Sequence, residues 1–407
     1  MPHLATLTPP RLCARLYTWL RAICLCMLRC LFPCLFLAAC AGGPAPAVPP
    51  DLFVDARFRA PSEPVDAGAA LATSDAMRAY LRSAIAPQAR LKGPRHALFD
   101  ALYGTNQLKL EYDAALTRNA AQTFDARAGN CLSLVLMTAA LAKEMGLQVS
   151  YQSVQTDESW SRSGELYFVS EHVNLVLGKR LGEPGAAYDA GANMTIDFLP
   201  PPDTRGYRTR PIEEATIVAM YLNNRAAETL AQDRLDDAYW WARAAIVRDP
   251  GFSGAYNTLG VLLRRHGDLE AARRAFTVAL DKAPSDTRVM YNLAHNLRAL
   301  GREAEAEALL AQLARLQPRP PFHFFNLGMA ALRAGDPAAA VRLFSQEIER
   351  DPYYHEFHFW LAQAYARLGQ LERVRAELGL ALDNSTTRRD QQLYAAKLDR
   401  IRALPAR

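Results

Sequence analysis

Three side chains far apart in the chain, Cys131, His172 and Asp197, are of the types that nucleophilic attack on an amide requires. Cys131 follows Gly129-Asn130 and opens a stretch in which Leu134, Met137, Leu141 and Met145 recur at helical spacing, with Gly146 as the stop. A thiol at a helix start feels the positive end of the dipole, which favours its thiolate. The unpaired N–H groups there can also hold a developing oxyanion. His172 opens a strand whose alternation puts Val173, Leu175 and Leu177 on one face, leaving His172 and Asn174 on the other. Asp197 stands among Ile196, Phe198 and Leu199, where a carboxylate needs a partner, and His172 is the candidate. Helix thiol, strand imidazole and strand carboxylate make a candidate Cys–His–Asp triad.

The elements that must position these groups are legible as changes of period. Residues 51–80 read as irregular, 74–95 as an amphipathic helix, and 94–124 as helical again. After Gly146 the period becomes two: Val149–Val154, Leu166–Val169, His172–Leu177 and Thr195–Leu199 are strand candidates, ending near Pro200-Pro201-Pro202. Helix first and antiparallel strands after predict an α+β domain over 51–210, with its core at about 100–200. Trp160 is a candidate cleft or core residue.

The runs Thr123–Met137, Ala140–Leu147, His172-Val-Asn174 and Ile196-Asp197-Phe198 together resemble the transglutaminase-like superfamily. That resemblance implies a papain-like fold in which Cys131 is the nucleophile, His172 the general base and acid, and Asp197 the orienting carboxylate. It also implies an upstream oxyanion side chain, for which Gln107 and Gln122 are the candidates.

Beyond residue 211 the chain repeats. Pro250, Pro284, Pro318 and Pro352 stand 34 residues apart, with Ala238, Ala272, Ala306 and Ala340 twelve before them. Gly260, Ala294, Gly328 and Ala362 share a close-packing slot, and Gly267, Gly301, Gly335 and Gly369 mark turns. This resembles tetratricopeptide repeats, which predicts an all-α solenoid of five units over 211–388 and a cap at 389–407. Position five of each first helix, Asn223, Asn257, Tyr291, Phe325 and Phe359, is expected to line a groove for a protein or peptide partner, near Arg264, Arg288, His295 and Arg298. His355, His358 and His323 have a zinc-compatible spacing, but a solvent- or groove-facing role is expected and no metal or cofactor is assigned.

The N-terminus reads as an address. A basic segment and ten apolar residues, too short to span a bilayer, end in Leu37-Ala38-Ala39-Cys40, which resembles a bacterial lipobox. Residues 1–39 are then a signal peptide, Cys40 the lipidated residue, and 40–50 a proline-rich tether. Ala41 suggests sorting to the outer membrane, facing the periplasm. Of seven cysteines only Cys131 would remain as a free thiol, so no intramolecular disulfide is expected.

Composition sets the outer limits. The 407 residues are 50% apolar and 22% charged, enough for real cores. Mean hydropathy of −0.12 excludes a polytopic membrane protein. The net charge is +5, but Arg11, Arg15, Arg21 and Arg29 supply four of those charges, which leaves no basic field for nucleic acid. The expectation is a lipid-anchored, periplasm-facing protein with a cysteine-dependent amide hydrolase or acyl transferase domain and a partner-binding array. The rival is a non-catalytic scaffold or envelope assembly factor with a degenerate papain-like domain.

Overall fold

From Cys131 onward the chain offers no polar face, and a helix apolar all round has to be buried. It is: every residue from Cys131 to Ala142 is withdrawn from solvent. Each fully buried aliphatic side chain on such a helix contributes roughly 1.5–3 kcal/mol over exposure. The computed structural model describes residues 48–104, 108–114, 116–163, 166–180, 193–198 and 208–402, with side chains at 155–171 and 179–180 left aside. Cys40, Gln107, the Trp160 side chain and the three prolines 200–202 lie outside the described residues.

In chain order the first helices are α1 (Asp75–Tyr80), α2 (Ala86–Lys92), α3 (Pro94–Tyr103), α4 (Ala120–Ala126) and the buried α5 (Cys131–Glu144). A π-helical turn, Leu81–Ile85, joins α1 to α2. The strands are β1 (Glu111–Tyr112), β2 (Ala128–Gly129), β3 (Leu147–Ser163), β4 (Leu166–Arg180), β5 (Met194–Ile196) and β6 (Arg208–Ile212). The stretch 94–124, expected to be helical throughout, is not. Helix α3 ends at Tyr103, and the chain later runs extended through β1, which pairs in parallel with β2.

The main sheet is antiparallel, in the order β5-β4-β3-β6. Val154 lies opposite His172, Gln152 opposite Asn174, and Ile196 opposite Leu175. Val173, Leu175 and Leu177 are fully buried in the same core as α5. The added strand β6 sits at an edge, where Pro211 has no ladder N–H to withhold.

The repeats are helix pairs: α6 (Glu214–Ala231) with α7 (Leu235–Arg248), α8 (Ser253–Arg265) with α9 (Leu269–Lys282), α10 (Thr287–Ala299) with α11 (Glu303–Leu316), α12 (His323–Arg333) with α13 (Pro337–Arg350), and α14 (His355–Arg367) with α15 (Leu371–Asp383). Helix α16 (Arg388–Arg402) buries Tyr394 and Leu398 against the last pair. A Cβ on Gly260 would stand 2.5 Å from the Phe276 ring, and one on Gly328 2.6 Å from Phe344. Glycine there lets a phenylalanine of the second helix press on the backbone of the first, and any side chain would overpack it.

Residues 51–66 form no long element but are tied down along α7. Phe58 stacks on Tyr239 with ring centroids 3.9 Å apart. The Val54 N–H donates to the Tyr239 hydroxyl, which donates to Asp55. Ser62 N–H and hydroxyl both donate to Asp237, the Trp240 indole donates to the Arg59 carbonyl, and Arg57 pairs with Asp268.

Candidate functional site

Gly129, Asn130 and Cys131 turn a strand into a helix in three residues. The Asn130 side chain caps α5, accepting from the Ser133 N–H and hydroxyl at 2.9 and 2.8 Å. Gly129 has no room for more, since a Cβ would lie 2.7 Å from that of Ser133. The outcome is a buried thiol, 9% exposed, at the first residue of a long helix.

His172 and Asn174, neighbours on one face of β4, both reach Asp197 just past β5. His172 Nε2 stands 2.7 Å from Asp197 Oδ1, and Asn174 Nδ2 donates to Oδ2 at 2.8 Å. The Tyr103 hydroxyl donates to the Asp197 backbone carbonyl at 2.6 Å. Cys131 lies beside the same ring, close enough for its charge to act on the imidazole. Burial alone would push the imidazole down from 6.5. Its hydrogen bond to Asp197, and the charges of Asp197 and Cys131, outweigh burial and hold it up at about 9. These neighbours favour the protonated ring. Cys131, His172 and Asp197 are thus brought together.

Gln122 is not in this group. Its side chain closes a capping box with Asn119 at the start of α4, so the upstream oxyanion candidate is a helix cap instead. A neighbour of the thiol that was not legible is Tyr112 of β1, whose phenol is pushed up by desolvation and by Cys131, while the residue as a whole stays 46% exposed.

A second unforeseen residue is Thr117. Its hydroxyl takes Nδ2 of Asn130 and of Asn224, at 2.9 and 3.2 Å, and its N–H donates to Glu228 at 2.7 Å. The cap of the Cys131 helix is thereby joined to α6. Burial pushes the Glu228 carboxyl up to about 7, against the hydrogen bonds from Thr117 and the charge of Arg225. A carboxyl raised from 4.5 contributes stability below pH 4.5 that is lost as pH rises through 7. Glu228→Gln keeps an acceptor for Thr117 but cannot ionise. Its Tm is expected to equal wild type at pH 5 and exceed it at pH 8, by about 1–2 kcal/mol of stability, as followed by thermal melts.

The groove candidates divide. Tyr291 is 46% exposed, and Asn257 accepts from Asn292 at 2.9 Å. Asn223 keeps a buried side-chain oxygen without a hydrogen bond. Phe359 stacks on Tyr394 of α16. Phe325 is a correction: it is fully buried among Phe322, Phe344 and Phe357, because apolar enclosure by three rings outweighs a groove-facing position. His358 is bonded to Glu377 and the Pro352 carbonyl, and His355 to Tyr394. No metal-holding cluster occurs among the described residues. Nor is any described helix long and apolar enough to cross a membrane.

The tetratricopeptide-repeat family matches residues 263–323 and again 325–387. Residues 263–387 are tetratricopeptide repeats. The chain is similar to YrrB, a TPR protein with an unusual peptide-binding site, at 22% identity over 44% of this chain and 92% of that one, TM-score 0.24. It is similar to a thermophilic TPR protein of Thermus thermophilus at 19% identity over 44% and 98%, TM-score 0.30. To PilF of Pseudomonas aeruginosa the values are 19%, 46% and 86%, TM-score 0.28. No curated protein matches the chain. Tetratricopeptide repeats bind protein or peptide partners, so the C-terminal part is a protein-interaction scaffold.

Proposed function

We propose that residues 51–210 form a transglutaminase-like, papain-fold domain that processes amides, and that the repeats present a protein or peptide substrate to it. The observation that carries this reading is His172 bonded to Asp197, with Cys131 beside the same ring. In it the Cys131 sulfur attacks the amide carbon, and the carbonyl oxygen takes up negative charge at the N-terminus of α5. His172 gives its Nδ1 proton to the leaving amine as the C–N bond breaks, leaving a thioester. Water then attacks the thioester, His172 takes the proton, and the acid and thiol are released. An amine in place of water gives transamidation. Asp197 and Asn174 fix the ring between these roles. Lipidation at Cys40 and an outer-membrane, periplasm-facing location complete the proposal.

A thiol-reactive, peptide-based probe tests it. Labelling is expected in wild type and absent in Cys131→Ala. Wild type unlabelled beyond background, with Cys131→Ala fully functional in cells, would leave the non-catalytic scaffold reading.

A further inference from the structure

The seam between the third and fourth repeats is packed unlike the others. Leu259, Leu293, Leu327 and Leu361 stand 34 residues apart on successive first helices. Three of them are buried, but Leu327 is 46% exposed. The same holds along that face of the helix: Ala255, Val289 and Phe357 are buried, and His323, in the matching place, is not. Helix α11, which precedes α12 in the stack, buries only Ala306, where α9 buries Ala271, Ala272, Ala275, Phe276 and Ala279. The buried core divides here as well, one cluster ending at Ala306 and the next beginning at Phe322. Polar bridges follow the same division. Arg265 of α8 donates to the Leu230 carbonyl of α6 at 3.2 Å, and Arg367 of α14 to the Leu332 carbonyl of α12 at 2.6 Å. Arg333 holds the matching place on α12, and among the described residues it makes no such bond to α10. The connection across the seam carries Pro318, Pro320 and Pro321, and Arg350 holds its far half by donating to the Arg319 and Pro320 carbonyls at 2.9 and 3.3 Å. Residues 319–322 therefore go with the last two repeats, and a bend has only Gln317 and Pro318 to fall on.

The far end of this C-terminal part is tied back. The turn between α15 and α16 returns to the first domain, where the Ala114 N–H donates to the Thr386 carbonyl at 3.2 Å and Arg388 pairs with Glu111 at 3.1 Å. A solenoid is held by its repeat-to-repeat interfaces, so it bends where one of them is weak. We infer that the array is jointed at Gln317–Pro318: residues 319–402 turn as one body, and Thr386 and Arg388 latch that body to Glu111–Ala114. The latch pair is exposed, with Arg388 at 77% and Glu111 at 67%, and such a pair is weak enough for a binding partner to break. Release parts the fourth repeat from the third at Leu327. The inference does not depend on the chemistry assigned to Cys131.

The test is limited trypsin digestion of the full chain, with the rate at each bond read by mass spectrometry. The Arg315–Leu316 bond lies at the joint, and Lys282–Ala283 lies at the end of the second helix one repeat earlier, where the seam is packed. Arg388→Glu sets two acids side by side and is expected to speed cutting after Arg315 about threefold, with Lys282 unchanged. Glu111→Arg with Arg388→Glu restores the pair and the wild-type rate, and Arg389→Glu, one residue along, changes nothing. Amide hydrogen exchange is the second measurement. In Arg388→Glu the Gln317 N–H, which donates to the Leu313 carbonyl at 2.8 Å, is expected to exchange faster while α12 and α13 keep their protection. A wild-type rate after Arg315 in Arg388→Glu, or equal acceleration after Lys282, would overturn the joint. So would loss of protection throughout α12 and α13, because the body would then be unfolding rather than turning.

Discussion

His172→Ala is expected to slow iodoacetamide alkylation of Cys131 about 100-fold at pH 6, and hardly at all at pH 9. An ordinary cysteine ionises near pH 8.5, so at pH 6 only about one thiol in 300 is reactive. The positive charge of the His172 ring stands beside Cys131 and attracts the negative charge that the reaction needs on sulfur. The sign follows from His172 itself. Its proton is bound more tightly in the folded site than in the unfolded chain, so the imidazolium is fully formed below 6.5 and is lost as pH rises through about 9. The wild-type advantage must therefore be greatest in mild acid. Asp197→Asn should shift the same profile to lower pH, because burial, now opposed by less charge, drags the imidazole down. A pH–rate curve identical in wild type and His172→Ala would remove the activated pair altogether.

Tyr239→Ala is the substitution expected to cost most in stability, about 3–5 kcal/mol. The side chain is fully buried. It stacks on Phe58, lies edge-on to Trp240, and joins the Val54 N–H to the Asp55 carboxylate. Truncation opens a cavity within α7 and frees residues 51–66 from it. Tyr239→Phe keeps the ring and loses only the hydroxyl, and is expected to cost about 1–2 kcal/mol, within the range for one buried polar link. Urea melts give the two values. Limited proteolysis is expected to cut first near residues 59–64 in Tyr239→Ala, and not in Tyr239→Phe.

The helix that carries Cys131 and the strand that carries His172 were legible because burial imposes a period on them. Helix α5 spans Cys131–Glu144 where the spacing predicts 132–145, and the alternation around His172 correctly separates Val173 and Leu175 from the polar face. The 34-residue period was legible because every unit must solve the same packing problem, as the Gly260–Phe276 and Gly328–Phe344 contacts make plain. What escaped has no period. Strand β1 is two residues long, and a short parallel pairing leaves no mark on either segment. Thr117 acts through partners 13 and 107 residues away, and Glu111 through one 277 away. Phe325 occupies the same repeat position as Tyr291, yet one is sealed and the other half-exposed, since the neighbouring repeats supply different ring partners.

The return of the α15–α16 turn to Glu111 and Ala114, with α6 already on Thr117, gives this array a property that open solenoids lack. Stacked repeats ordinarily melt from their termini, each terminal unit fraying at little cost to the next. Here the first and last units are both pinned to one short piece of chain, so neither is a loose end. Melting should be correspondingly all-or-none, and loosening the final turn should lower cooperativity more than it lowers the midpoint.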